Sequence, residues 1–186
     1  MEITDPPLKF DNVTTNPLED AGVRAGYQNN INYSQFQVDG APLITALAAF
    51  KPISAPNVAV VLPTTSLESG TISLNPQNTA TKSGAIKYFN LEQFFFGCTT
   101  FTAQSQLDPV IGCGIEVSGF NTAGQMVGIA TFNYAPDATI QADMARAILP
   151  ATFINLVNFT IAVATSSIAV TDTAIAFDNV THTNFW

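Results

Sequence analysis

The strongest constraint on this chain is a rhythm. Short runs rich in Val, Ile, Phe and Thr return along its length, each closed by a cluster of Gly, Pro, Asn or Asp. Within Val157-Asn158-Phe159-Thr160-Ile161-Ala162-Val163 the large apolar residues fall on every second position. A segment patterned in that way buries one face as a strand and none as a helix. Many such segments separated by turn residues predict an all-β sandwich or barrel. The clearest pair is 113–120 and 126–134, joined by Asn121-Thr122-Ala123-Gly124-Gln125, whose Gly supplies the positive φ that such a hairpin loop needs. Further strands are expected at 8–13, 33–38, 58–62, 70–74, 85–98 with a bulge, 157–163 and 174–181. One or two short helical turns are expected, at 42–50 and at 141–149, the second stopped by Pro150. No linker or low-complexity tract divides the 186 residues, so a single β-sandwich domain over 1–186 is expected.

Composition narrows the partners. Hydrophobic residues make up 47 %, which excludes intrinsic disorder. The longest apolar runs fall far short of the roughly 20 residues needed to span a bilayer as a helix, so no membrane span is expected. Six basic residues against 14 acidic ones leave a net charge of −8, and no Lys/Arg cluster exists to neutralise phosphates. Nucleic acid is thereby disfavoured as a partner.

Solubility is carried by neutral polar groups, since 22 Thr and 15 Asn outnumber the 20 charged residues. This composition suits a secreted, extracellular protein. Cys98 and Cys113, an even count with no CxxC and no nearby His, favour a disulfide over two buried thiols. Asn-x-Ser/Thr triplets begin at Asn12, Asn32, Asn158 and Asn179 and are candidate N-glycosylation sites.

The pentapeptide Phe10-Asp11-Asn12-Val13-Thr14 returns as Phe177-Asp178-Asn179-Val180-Thr181. Two readings stand. The repeats are strands in similar environments, neighbours with Phe turned inward, or Asp11 and Asp178 supply carboxylate oxygens to one structural Ca²⁺, the donor type this hard cation prefers.

From these residues onward the chain resembles the small secreted jelly-roll domains of fungi and bacteria that are similar to galactose-binding-like domains and carbohydrate-binding modules. The pieces that carry the resemblance are Phe10-Asp11-Asn12-Val13, Gly26-Tyr27, Tyr33-Ser34-Gln35-Phe36, Ser54-Ala55-Pro56-Asn57-Val58-Ala59, Tyr88-Phe89-Asn90-Leu91-Glu92, the 115–134 hairpin and Ala176-Phe177-Asp178-Asn179-Val180. The resemblance implies an antiparallel sandwich with its first and last strands close together, frequent sugar binding and a structural Ca²⁺. The chain departs from typical sugar binders in having one Trp, Trp186, at its last position.

Three kinds of chemistry have candidate residues in the chain. Nucleophilic catalysis needs a base, and the one histidine, His182, is expected at a frayed, exposed end of the last strand. Glycoside hydrolysis needs two carboxyl groups about 5–10 Å apart, and Glu92 and Glu116 are the candidates because both interrupt apolar strands. Alternation puts Glu116 on the outer face, opposite Ile115 and Val117. Binding is the third, and Tyr27, Asn29, Asn30 and Tyr33 combine flat rings with amides, the groups that recognise a pyranose by stacking and paired hydrogen bonds. The Phe94-Phe95-Phe96 run sends rings to both faces of its strand, so something must cover the face opposite the core. The leading expectation is a non-catalytic secreted sandwich that binds extracellular glycan or a cell-surface or cell-wall partner. A small carbohydrate-active enzyme and a structural or adhesive surface protein are the alternatives.

Overall fold

The computed structural model describes residues 2–4, 23–28, 31–40, 49–54, 57–61, 70–74, 86–100 and 109–185, with 2–4, 23–28, 31–40, 57, 61 and 70–74 as backbone alone. Fourteen strands are assigned among them. They are β1 (Glu2–Thr4), β2 (Val23–Gln28), β3 (Ile31–Gly40), β4 (Phe50–Lys51), β5 (Asn57–Val61), β6 (Gly70–Leu74), β7 (Tyr88–Thr100), β8 (Val110–Ile111), β9 (Cys113–Phe120), β10 (Met126–Tyr134), β11 (Ala142–Asp143), β12 (Ala145–Ile148), β13 (Asn158–Ser166) and β14 (Thr173–Phe185). The main sheet runs β10-β9-β13-β6-β3-β5-β14-β7-β12, and all its pairings are antiparallel. β3 carries the curl, pairing with β6 at Ile31 and Asn32 and with β5 from Gln37 to Gly40. The sheet thus folds into two layers, as expected from the period-two segments.

Rings fill the space between the layers. Phe89 of β7 meets Phe159 of β13 edge-on at 6.0 Å, and Phe94 and Phe96 of β7 lie 6.2 and 6.4 Å from Phe132 of β10. Phe89, Phe94, Phe96, Phe159 and Phe177 are all essentially without solvent contact. Cys98 of β7 and Cys113 of β9 form the expected disulfide, which ties one layer to the other inside this core. The middle ring of the Phe94-Phe95-Phe96 run is half-buried on the opposite face, beside Arg146 of β12 and Asp178 of β14 in register.

The hairpin forms as its turn chemistry dictates. Asn121 Oδ1 accepts from the amides of Ala123 and Gln125, and Gly124 takes φ +72°. β1 pairs with the end of β14, Glu2 opposite Phe185, so the first and last described strands are neighbours. The expected strand at 8–13 and the first copy of the pentapeptide lie outside the described residues.

Two expectations need correction. Residues 141–149 form no helix. β11 pairs with β4, and β12 pairs with β7 from Gln93 to Phe96, so sheet partners override the local helix preference of Ala, Arg, Met and Leu. Of the other expected helix, 42–50, the described end is extended, with Phe50 in β4. The one helical element among the described residues is the 3₁₀ turn Val170–Asp172. His182 is the second correction, because it is fully buried rather than frayed. β14 continues to Phe185, paired with β7 and β1, and this places His182 opposite Leu91 with its ring edge-on to Phe89 at 6.4 Å.

Candidate functional site

The register of five strands builds one candidate surface. On β13, Phe159 and Ile161 are fully buried, as are Ile115 and Val117 of β9. Their alternates Asn158, Thr160 and Ala162, with Glu116 and Ser118, therefore belong to the outer face of that layer. Cross-strand partners share a face, so the outer face can be followed from strand to strand. Phe120 of β9 stands opposite Asn158 of β13, Asn158 opposite Ser73 of β6, Ser73 opposite Asn32 of β3, and Asn32 opposite Tyr27 of β2. At about 4.8 Å per strand this row is roughly 19 Å long. A second row joins Ser118, Thr160 and Thr71, and a third joins Thr131, Glu116 and Ala162. Hydroxyl and amide residues make up the second row, in which Ser118 is buried, and the middle of the first, between Phe120 and Tyr27; β10 continues these two rows with Ile129 and Met126, and the third row holds one hydroxyl, one acid and one alanine.

The residues expected to bind sugar fall on a single hairpin, β2–β3, with Asn29 and Asn30 in its connection, outside the described residues. The register separates the two tyrosines. Tyr27 stands opposite Asn32, whereas Tyr33 stands opposite Gly26, at the other parity of the register. A single face can use one tyrosine and not both.

The structure does not bring Glu92 and Glu116 together. Glu116 is exposed on the outer face of β9, between Thr131 and Ala162. Glu92 is exposed at a register irregularity of β7, in the other layer, and accepts a 2.7 Å hydrogen bond from Thr183 Oγ1. Each acid points away from the shared core, so the two carboxylates lie on opposite outer faces and do not flank a common cleft.

Asp178 is fully buried. Its Oδ2 accepts from the amides of Ile53 and Ser54 at 2.8 and 2.9 Å, and its Oδ1 accepts from Ser54 Oγ at 3.0 Å and the Asn179 amide at 2.7 Å. A carboxylate offers about four acceptor positions. All are engaged by protein donors, which does not suit a calcium ligand; Asp11 lies outside the described residues. Burial pushes the Asp178 carboxyl above its ordinary range against the opposing pull of those hydrogen bonds. No three His, Cys, Asp or Glu side chains converge among the described residues.

Of the sequon asparagines, Asn158 is half-buried on the outer face and Asn32 has the register position two strands away. Asn179 takes φ +51° where two residues of β14, Asn179 and Val180, bulge opposite Phe94, and its Oδ1 is buried. Asn12 lies outside the described residues. A last polar cluster flanks the small β4–β11 sheet. Tyr134 donates its phenol to the Asp143 carbonyl at 3.1 Å, and Lys51 pairs with the Asp143 carboxylate at 2.9 Å in solvent. Burial, with the charges of Asp137 and Asp143, pushes the Tyr134 phenol up to about 12.

Sequence reasoning did not single out Phe120, Ser118, Thr131, Ser73 or Thr71. Alternation in β9, β10 and β13 carried part of that signal, but the order of the strands did not follow from it.

No protein-family model matches the chain, and no curated protein matches its sequence. Among solved structures, a DUF4465 family protein from Bacteroides caccae superposes with a TM-score of 0.54 at 12 % identity, over 98 % of this chain and 98 % of that one. An arabinose-bound GH51 α-L-arabinofuranosidase superposes at 0.47 with 12 % identity, over 98 % of this chain and 26 % of that one. The C-terminal family 22 carbohydrate binding module of Clostridium thermocellum Xyn10B follows at 0.36 with 11 % identity, over 91 % of this chain and 96 % of that one. The first of these likenesses is one of fold alone: over nearly its whole length, the chain shares the architecture of the DUF4465 family protein.

Proposed function

We propose that this chain is a non-catalytic, secreted β-sandwich that binds extracellular glycan on the outer face of β9, β13, β6, β3 and β2. The observation that carries the reading is the row from Phe120 through Asn158, Ser73 and Asn32 to Tyr27. It pairs aromatic residues, which stack on the C–H faces of sugars, with amides and hydroxyls, which hydrogen-bond their hydroxyl groups. Neutral donors and acceptors suit an uncharged ligand, and Glu116 is the one acid in the three rows. The disulfide between Cys98 and Cys113 supports an oxidising compartment.

The test is a glycan array, followed by calorimetry on any hit, with wild type and with Tyr27→Ala and Thr160→Ala variants. Binding that both variants weaken about tenfold or more supports this face; a single lost contact of 1.4 kcal/mol gives about that factor. Binding that both variants leave unchanged places the ligand elsewhere, and silence of the folded wild type across the array overturns the reading.

A further inference from the structure

The outer face of β9 carries a fourth row. Asn133 of β10 stands opposite Gly114, and Gly114 opposite Thr165 of β13. Cys113 and Ile115 on either side of the glycine belong to the core, so the row faces outward, beside Thr131, Glu116 and Ala162. A glycine inside a strand weakens it and often marks a place that another group approaches closely. Its backbone makes no demand here, since Gly124 is the one glycine with positive φ among the described residues. What the missing side chain admits is a pair of oxygens. A Cβ on Gly114 would lie 2.5 Å from Thr165 Oγ1 and 3.1 Å from Asn133 Oδ1. Side chains from strands about 10 Å apart thus lean toward one spot over a bare Cα. Both are exposed, and neither side chain makes a hydrogen bond among the described residues.

We infer that Asn133 and Thr165 form an end subsite of the glycan face, which takes two adjacent hydroxyl groups of a neutral pyranose over Gly114; the inference rests on the reading of that face given above. The Thr165 hydroxyl both donates and accepts, and the Asn133 amide offers an acceptor oxygen beside a donor nitrogen. The pair therefore serves two neighbouring hydroxyls whichever way each proton turns. Glu116 lies two residues along β9 on the same face, about 7 Å away. Its exposed carboxylate accepts from a further hydroxyl and repels a carboxylated sugar, which selects a neutral one. Along β9 the row lies six residues from Phe120, about 20 Å, so the two ends of the face suit an oligosaccharide of several units rather than a single sugar.

Nuclear magnetic resonance titration with cellohexaose, xylohexaose and mannohexaose tests it, on wild type and on Thr165→Val, Asn133→Ala and Gly114→Ala variants. Thr165→Val keeps the shape and removes the oxygen. Gly114→Ala sets a methyl group where that oxygen leans, and the exposed Thr165 side chain turns aside to admit it, so the variant retains the fold, which circular dichroism verifies. At least one hexasaccharide is expected to shift the Gly114 and Thr165 amide resonances and the Asn133 side-chain resonances of wild type, and each variant is expected to bind it about fivefold more weakly, as the loss of one hydrogen bond gives. Shifts at Asn158 and Thr160 without shifts at Gly114, or unchanged affinity in Thr165→Val and Asn133→Ala, overturn the subsite and leave the face standing. Absence of shifts with all three sugars also overturns the subsite, whereas the face itself falls only with silence across the glycan array.

Discussion

Asp178 holds Ser54 twice, accepting both its amide at 2.9 Å and its hydroxyl at 3.0 Å in a carboxylate without solvent exposure. The two residues are 124 apart in sequence, and the contact fastens the 53–54 segment over the outer side of β14. Asp178→Asn would set an amide donor against backbone donors, at a cost of about 1–3 kcal/mol. Ser54→Ala removes one bond of the four and should cost about 1 kcal/mol. Urea denaturation of the two variants checks the order.

The same carboxyl sets a pH dependence. Its folded pKa is raised, so between the unfolded value and the raised one the folded state binds more protons than the unfolded state. The contribution of Asp178 to stability is therefore full below the unfolded pKa and is lost as pH rises through the folded one. The stability gap between wild type and Asp178→Asn should narrow over the pH interval that begins at the unfolded carboxyl value of about 3.9 and runs upward. A gap that widens over that interval contradicts the assignment.

A side chain at position 97 has no room. A Cβ on Gly97 would lie 2.3 Å from Phe50 Cε1, so the ring from β4 packs directly on the β7 backbone. Gly97→Ala should cost about 1–3 kcal/mol, as overpacking does. In a Phe50→Ala background the same substitution should cost little, and a double-mutant cycle read by thermal denaturation measures the coupling. Additive effects would mean that the ring does not occupy this space.

The Cys98–Cys113 bridge closes a separation of 15 residues between the two layers, worth about 3 kcal/mol in the chain-entropy model. Replacing both cysteines by Ala should lower the unfolding free energy by that order while leaving the β-rich circular dichroism intact. Equal stability of the variant and the oxidised wild type would refute the role.

Tyr134 titrates at about 12 in the folded state, above its unfolded value of about 10. Its contribution to stability is thus full below about pH 10 and is lost as pH rises through about 12. Tyr134→Phe should lose about 0.5–1.5 kcal/mol at neutral pH with the bond to the Asp143 carbonyl. It should also flatten the alkaline fall in stability, which denaturation at a series of alkaline pH values measures.

The parts of this protein that could be read along the chain are those settled by neighbours in sequence. Alternation placed Ile115 and Val117 inward and Glu116 outward, and the Asn121–Gln125 turn with Gly124 set the hairpin, because a pleated strand and a tight loop answer to residues a few positions away. Two cysteines in an otherwise cysteine-free chain named their own partnership. Contacts between distant segments lay beyond that reach. Residues 145–148 favour helix locally and became β12 because the edge of β7 offered hydrogen-bond partners. His182 looked terminal and is buried because β1 and β7 flank the end of β14. Tyr27 and Asn158 entered one row only when β3, β6 and β13 were placed side by side. Strand order and register depend on which apolar faces close over one core, a choice made by the whole folded chain.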